Sequence, residues 1–304
     1  MEITFKEEFG IDKNDLEFVN IPLKSDIEVF ICPFLIDHNK KESEFSKKIY
    51  TRLVDFLTHL NKNYIKPNKR NEGIIFLSHL HEPNEIHFGY SSNNKGKAVA
   101  KEKATIIFDA LRNNRFAKQG LETTNQAHNV LLLVKGIGQD IMSDITLNIC
   151  RDIFADFTKK IIDKYNISKV GIFNCEYYNG TLKKWDTIRF KLPKFQNKKI
   201  ILIPKKIVSG KRIYSTRYNW FVASKIISVE LMNKENLSKK DNKLFKRLKS
   251  GTKKIIIKRV YDAYKKPKED LIQFVLDYPG SLDQFIKYAK EHYPEIDLSD
   301  LNEK

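Results

Sequence analysis

Residues 128–162, HNVLLLVKGIGQDIMSDITLNICRDIFADFTKKII, constrain the fold more than any other stretch of this chain. An apolar run at 130–134, bounded by polar residues, has the length of a buried strand. Gly136 and Gly138 mark a turn after it. Asp140, Ser143 and Asp144 follow within five positions. Behind them Ile145, Ile149, Ile153, Phe157 and Ile161 recur every four residues, which predicts one long helix over 144–165. Two carboxylates therefore stand where a buried strand turns into a helix. In open α/β sheets the ligand crevice lies at the carboxyl ends of the strands. Capping explains part of the cluster, because Ser143 or Asp144 reads as an N-cap and acids suit a first helical turn.

A chain of 304 residues, 41% of them hydrophobic, has room for one large domain or a domain with a smaller companion. No apolar run approaches the roughly 20 residues of a membrane span, and the start MEITFKEEFG has no signal-peptide pattern. Cys32, Cys150 and Cys175 lie far apart with no zinc spacing, which points to a reducing cytoplasm.

The net charge of +17 is unevenly placed. Residues 1–180 hold 25 Lys+Arg against 24 Asp+Glu, residues 181–260 hold 24 against 4, and residues 261–304 hold 6 against 10. A genome rich in AT would spread lysine everywhere, and the near-neutral first part counts against that. An eighty-residue band of +20 attracts polyanions, so nucleic acid is the expected partner, DNA ahead of RNA, with no membrane role. Within the band, Lys205, Lys206, Lys211, Arg212, Arg217, Lys246, Arg247, Lys253 and Lys254 are the expected contacts. Trp185, Tyr214, Tyr218 and Trp220 could stack unpaired bases, although their spacing also suits a core.

Further elements follow from periodicity and breakers. Residues 26–33 and 73–78 read as strands, and 44–64 and 97–111 as helices. Polar loops are expected at 91–96 and 112–128. Residues 169–178, 185–192 and 198–204 read as three strands, with Asn179-Gly180 as a hairpin signal. From about residue 215 the pattern is helical and basic, with a charge run at 233–254. The expected fold is α/β: a mixed central sheet of about five or six strands flanked by helices, over 1–212, and a basic, mainly helical region over 213–304.

Between the strand candidate at 73–78 and the next, His79, His81, Glu82, Glu85 and His87 crowd into nine positions. Glu82 and Glu85 together with Asp140 and Asp144 could hold Mg²⁺ or Mn²⁺, since such ions take oxygen ligands and keep several waters. A lysine beside them, Lys205 at the mouth of the last strand, could steady charge on a phosphate. Asp140, Asp144 and Glu82 are the expected metal ligands. Asp140, Asp144, Lys205, Glu82 and Glu85 are the candidate catalytic residues.

The order of helix, strand, carboxylate-bearing turn, strand with Asp at its end and then strand with lysine resembles the PD-(D/E)XK nucleases found in restriction enzymes and prokaryotic antiphage proteins. The run LHEPNEIHFGYS, GIGQDIMSDIT, ILIPK is also similar to bacterial defence-associated proteins. The resemblance implies a metal-dependent endonuclease in a defence role, with a possible protein partner from the same operon. Asp140 or Asp144 would match that family's metal-binding aspartate, and Lys205 its lysine. The family's acid two residues before the lysine is replaced by Ile203, so Glu82 or Glu85 would have to complete the site. Two other readings stand beside it. One is a non-catalytic nucleic-acid-binding or sensing subunit. The other is a metal-free ribonuclease using His79, His81 or His87 as acid and base.

Overall fold

The hairpin signalled by Asn179-Gly180 is the longest β element of the computed structural model, which describes residues 2–89, 100–114 and 122–295. The loop at 91–96 and the middle of that at 112–128 lie outside the described residues. β2 (Val170–Asn179) and β3 (Lys184–Phe195) pair antiparallel from Val170↔Pro193 to Asn179↔Lys184. The Asn179 side chain accepts from the Thr181 and Leu182 amides, both at 3.1 Å, which shapes the turn. β4 (Lys198–Lys199) adds to β3. β1 (Phe30–Ile31) pairs with β5 (Val208–Ser209) in a separate two-stranded sheet. Every strand pair described is antiparallel, so the α/β fold is built from small sheets among helices.

β2 is an outer strand, and three successive outward carbonyls are each met by a cation. Lys199 donates to Asn174 O at 3.1 Å, Arg151 to Glu176 O at 2.8 Å and Arg52 to Tyr178 O at 2.7 Å. Each of these backbone acceptors would otherwise depend on water. The ribbon packs on the helix Arg151–Lys164. Its turn end packs on aromatic rings, with Trp185 Nε1 donating to Phe76 O at 2.8 Å and Tyr178 edge-on to Phe56 at 5.0 Å.

Ile49, Leu53, Phe56, Leu57 and Leu60 are the buried stripe of the helix Glu44–Leu60. It starts at Ser43, whose hydroxyl accepts from the Ser46 amide at 3.2 Å. Three expected strands are something else. Residues 73–78 fall in the helix Arg70–Leu77, where a Cβ on Gly73 would lie 2.4 Å from the Phe108 ring. Only glycine lets that helix approach Ala100–Asn113 so closely. Residues 130–134 fall in and just beyond the helix Ala127–Leu133, which is buried on every side. An all-round apolar helix has no amphipathic period, so a short one reads as a strand. Residues 200–203 are extended and buried but lie outside any ladder. Ile201 N donates to Glu85 O, Leu202 N to Thr158 Oγ1, and Ile203 O accepts from Val19 N, at 2.9, 2.9 and 3.0 Å. The helix expected over 144–165 is two, Gln139–Ile149 and Arg151–Lys164, parted at Cys150. Of 26–33, only Phe30 and Ile31 are strand, and Pro33 opens the helix Pro33–Asn39.

The described residues fall into two compact units: those up to Arg212 together with those from Tyr293 on, and Ile213–His292. In the second, the helices Tyr214–Phe221, Ile272–Asp277 and Ser281–His292 gather around Tyr218, Phe274 and Phe285. The Tyr218 hydroxyl is satisfied by Ser281 Oγ at 2.8 Å. Tyr214 and Tyr218 are therefore core residues, while Trp220 is 43% exposed. The charge run at 233–254 holds the short helix Lys239–Asn242 and a hairpin of β6 (Phe245–Arg247) and β7 (Lys253–Ile255). Among the described residues no helix is long and apolar enough to cross a membrane.

Candidate functional site

The helix Gln139–Ile149 is capped by Gly138, so Ser143 and Asp144 lie inside it and are not its N-cap. Asp140 sits in its first turn, where the dipole favours a carboxylate. Asp140, Asp144 and Asn148 are four residues apart and share one face. Ser143 Oγ accepts from Ile31 N at 3.0 Å and fixes the helix to β1. Asn148 Nδ2 donates to His81 O at 2.7 Å and to Asp144 O at 2.8 Å, fixing it to the loop of residues 79–89.

These ties bring four carboxylates into one neighbourhood: Asp26, Glu82, Asp140 and Asp144. Burial pushes the Asp26 carboxyl up to about 6, helped by the charges of Glu82 and Asp140. Burial raises Asp140, against the pull of Lys103. Burial also raises Asp144, Lys103 pulls it back, and Asp140 and Glu82 push it up again. Lys103 forms a buried ion pair with Asp144. Gly89, with φ of +140°, faces two of them: a Cβ there would be 3.6 Å from Asp140 Oδ1 and 3.9 Å from Asp26 Oδ2. Apart from its chain neighbours, no other described side chain is within 4 Å of that point.

Among the described residues no three His, Cys, Asp or Glu side chains stand close enough to hold a metal ion together. The Asp26–Asp140 cradle nonetheless suits Mg²⁺ in its chemistry. It offers two hard oxygen donors facing a space that glycine leaves open, and Mg²⁺ is commonly held by one or two carboxylates with waters completing its shell.

The other expected site residues lie elsewhere. Glu85 is spoken for by Arg151, whose Nε meets its Oε1 at 2.8 Å, both side chains nearly buried. Burial opposes the Glu85 charge, but Arg151 and Lys199 outweigh it and hold its carboxyl below the usual range. Lys205 opens a 3₁₀ turn, Lys205–Ile207, and its Nζ is 3.7 Å from Asp15 Oδ1; it has no ion pair with Asp140 or Asp144. The lysine that reaches the carboxylates is Lys103. Neither Lys103 nor Asp26 stood out in the sequence, because each sits in an ordinary polar context far along the chain from Asp140.

The histidines divide. His87 is buried at φ of +55°, its Nδ1 donating to Ser25 O at 3.1 Å, and burial pushes its pKa down, which fits a structural role. His79 Nδ1 donates to Glu176 Oε1 at 2.9 Å, and its ring stacks on Trp185 at 5.1 Å. His81 Nε2 lies 3.6 Å from the other oxygen of Glu176. An open groove of about 830 Å³ lies apart from both clusters, and its Arg52, Asp152 and Asp55 are already ion-paired.

Among the expected polyanion contacts, Lys246, Arg247, Lys253 and Lys254 are exposed on the β6–β7 hairpin. Arg212 instead donates to the carbonyls of Tyr293 and Pro294, and Lys211 pairs with Glu28 at 3.6 Å.

Residues 10–215 match the model of a family described as a domain of unknown function, DUF8370. The chain belongs to that family. The DUF8370 match takes in Asp26, Glu82, Gly89, Lys103, Asp140 and Asp144, and ends before β6. No curated protein and no solved structure matches this DUF8370 chain.

Proposed function

We propose that this chain is a Mg²⁺-dependent phosphodiesterase that cleaves nucleic acid, DNA ahead of RNA, in the bacterial cytoplasm and in an antiphage defence setting. The observation that carries the reading is the approach of Asp26 and Asp140 to the open side of Gly89, with Glu82 and Asp144 within electrostatic reach and Lys103 against Asp144. Burial of Asp26, Asp140 and Asp144 disfavours their ionised forms unless a cation is shared. Three free, buried cysteines suit a reducing compartment.

Asp26 and Asp140 would hold the ion, and Glu82 adds negative charge within electrostatic reach. A bound Mg²⁺ supplies an activated water and neutralises charge on the phosphate. Asp144 keeps the Lys103 ammonium at the cradle, where its Nζ can face a phosphate oxygen. Asn148 fixes the backbone of His81, next to Glu82, so that the loop and the helix keep one geometry.

The test is cleavage of plasmid, single-stranded DNA and RNA with Mg²⁺, Mn²⁺ or EDTA, beside Asp26→Asn, Asp140→Asn and Lys205→Ala. Metal-dependent cutting lost in both aspartate variants and kept in Lys205→Ala supports the reading. Equal activity in EDTA, or in Asp140→Asn, sinks it.

A second reading, a non-catalytic nucleic-acid-binding or sensing subunit awaiting a partner, draws on the absence of any three-ligand cluster among the described residues. Tight binding with no cutting under any of these conditions would establish it.

A further inference from the structure

The β6–β7 hairpin places like charges face to face. Lys246 is directly opposite Lys254, and Arg247 directly opposite Lys253. Opposite-charge pairs stabilise such positions and like charges destabilise them. Among the described residues no carboxylate pairs with these four cations, and residues 242–259 hold eight Lys+Arg and no Asp or Glu. The flanking acids are engaged, Asp241 with Lys234 at 2.8 Å and Asp262 with Lys258 at 2.9 Å. Lys253 donates to the neutral Asn242 Oδ1 at 2.9 Å, which leaves its charge uncancelled.

The hairpin is nonetheless built to hold its shape. Leu248 N donates to Thr252 O and Gly251 N to Leu248 O, both at 2.9 Å, and Gly251 takes φ of +83°. This is a short hairpin loop closed by a glycine in the left-handed region. At the base Arg259 Nη1 donates to the carbonyls of Lys243 and Phe245 at 3.0 and 3.2 Å. Residues 246–254 are all exposed.

Side chains alternate between the faces of a strand, so Lys246 and Lys254 project from one face and Arg247 and Lys253 from the other. Cations on one face alone would suit a membrane surface or a single phosphate track. Cations on both suit a slot with a phosphate wall on each side. The major groove of B-form DNA is such a slot and admits a two-stranded ribbon, whereas that of A-form RNA is too narrow.

We infer that the β6–β7 hairpin is a DNA-binding arm that enters a groove of the duplex and meets phosphates on both sides. The inference rests on the proposed reading that DNA is the partner, and not on the cleavage step. Its cations stabilise the complex at the expense of the free protein.

Two double variants, Lys246→Ala/Lys254→Ala and Arg247→Ala/Lys253→Ala, test it in the full chain, in an Asp140→Asn background that prevents cutting. Binding is read by fluorescence anisotropy on a short DNA duplex, its single strand, an RNA duplex, and vesicles of phosphatidylserine and phosphatidylcholine. Each variant should weaken duplex binding about tenfold and flatten the log–log salt slope by about two, the loss of two phosphate contacts. Each should also raise the melting temperature of the free protein, which a merely structural role would lower. Unchanged duplex affinity, parallel loss of stability and binding, or tighter binding of single strand, RNA or vesicles would overturn it. Duplex binding that depends on the hairpin in a protein that never cuts would uphold the arm and defeat the phosphodiesterase.

Discussion

Lys103 and Asp144 form an ion pair whose side chains are only 10% and 9% exposed, and it joins two helices that are distant in sequence. Removing one partner leaves the other charged and buried, which costs about 3–5 kcal/mol. Lys103→Met should therefore destabilise strongly, and adding Asp144→Asn should recover part of the loss. Urea unfolding of both single variants and the double measures the coupling. Additive effects would mean that the two side chains are energetically independent.

Arg151 holds three groups at once: the Glu85 carboxylate at 2.8 Å, the Glu176 carbonyl at 2.8 Å and Asn148 Oδ1 at 2.6 Å. Arg151→Ala should cost about 3–5 kcal/mol, because it strands a buried carboxylate and a strand carbonyl together. Arg151→Lys should recover little, since an ammonium cannot reproduce the forked geometry. Chemical denaturation of the two variants decides the point.

His128 is buried against Phe34, with no hydrogen-bond partner at Nε2, and burial depresses its pKa to about 4 from an ordinary 6.5. Between those values the unfolded chain binds the proton and the folded one does not. Stability should therefore be full above pH 6.5 and fall as the pH drops towards 4, by up to about 3 kcal/mol. His128→Phe should flatten that part of the pH profile. An unchanged slope in denaturant melts across this window would assign the acid sensitivity elsewhere.

Gly89 takes φ of +140°, which glycine adopts freely and a residue with a Cβ rarely does, and it is open towards Asp26 and Asp140. Gly89→Ala should cost about 1–3 kcal/mol for the backbone and crowd the cradle. The rise in melting temperature on adding Mg²⁺, expected of any ligand that binds only the folded state, should disappear. Gly138→Ala is the control, since a Cβ there meets nothing within 4 Å, and it should keep the Mg²⁺ response.

The α/β class was legible because amphipathic helices such as Glu44–Leu60 and the alternating hairpin strands advertise their periods. The apolar segments were not. Residues 130–134 lack a solvent face, and in 73–78 the residue turned to solvent is the apolar Ile75, so neither segment shows a polar–apolar period that distinguishes a short helix from a strand. Asp140 and Asp144 were readable as a pair because they share a helix turn. Their companions Asp26, Gly89 and Lys103 come from three other segments and meet them only through tertiary folding. Lys205 misled because its strand-end position was inferred from residues 200–203, which are extended but belong to no sheet.

The three cations along β2 also bear on how the molecule can associate. An outer strand with vacant carbonyls can add a strand from another chain, and proteins with long exposed edges polymerise that way. Here Lys199, Arg151 and Arg52 occupy those acceptors, and Glu85 and Asp152 hold the two guanidinium groups in place against the strand. A second copy approaching that side would find these three carbonyls already occupied. The ten-residue ribbon can therefore stay long without becoming a seed for fibres.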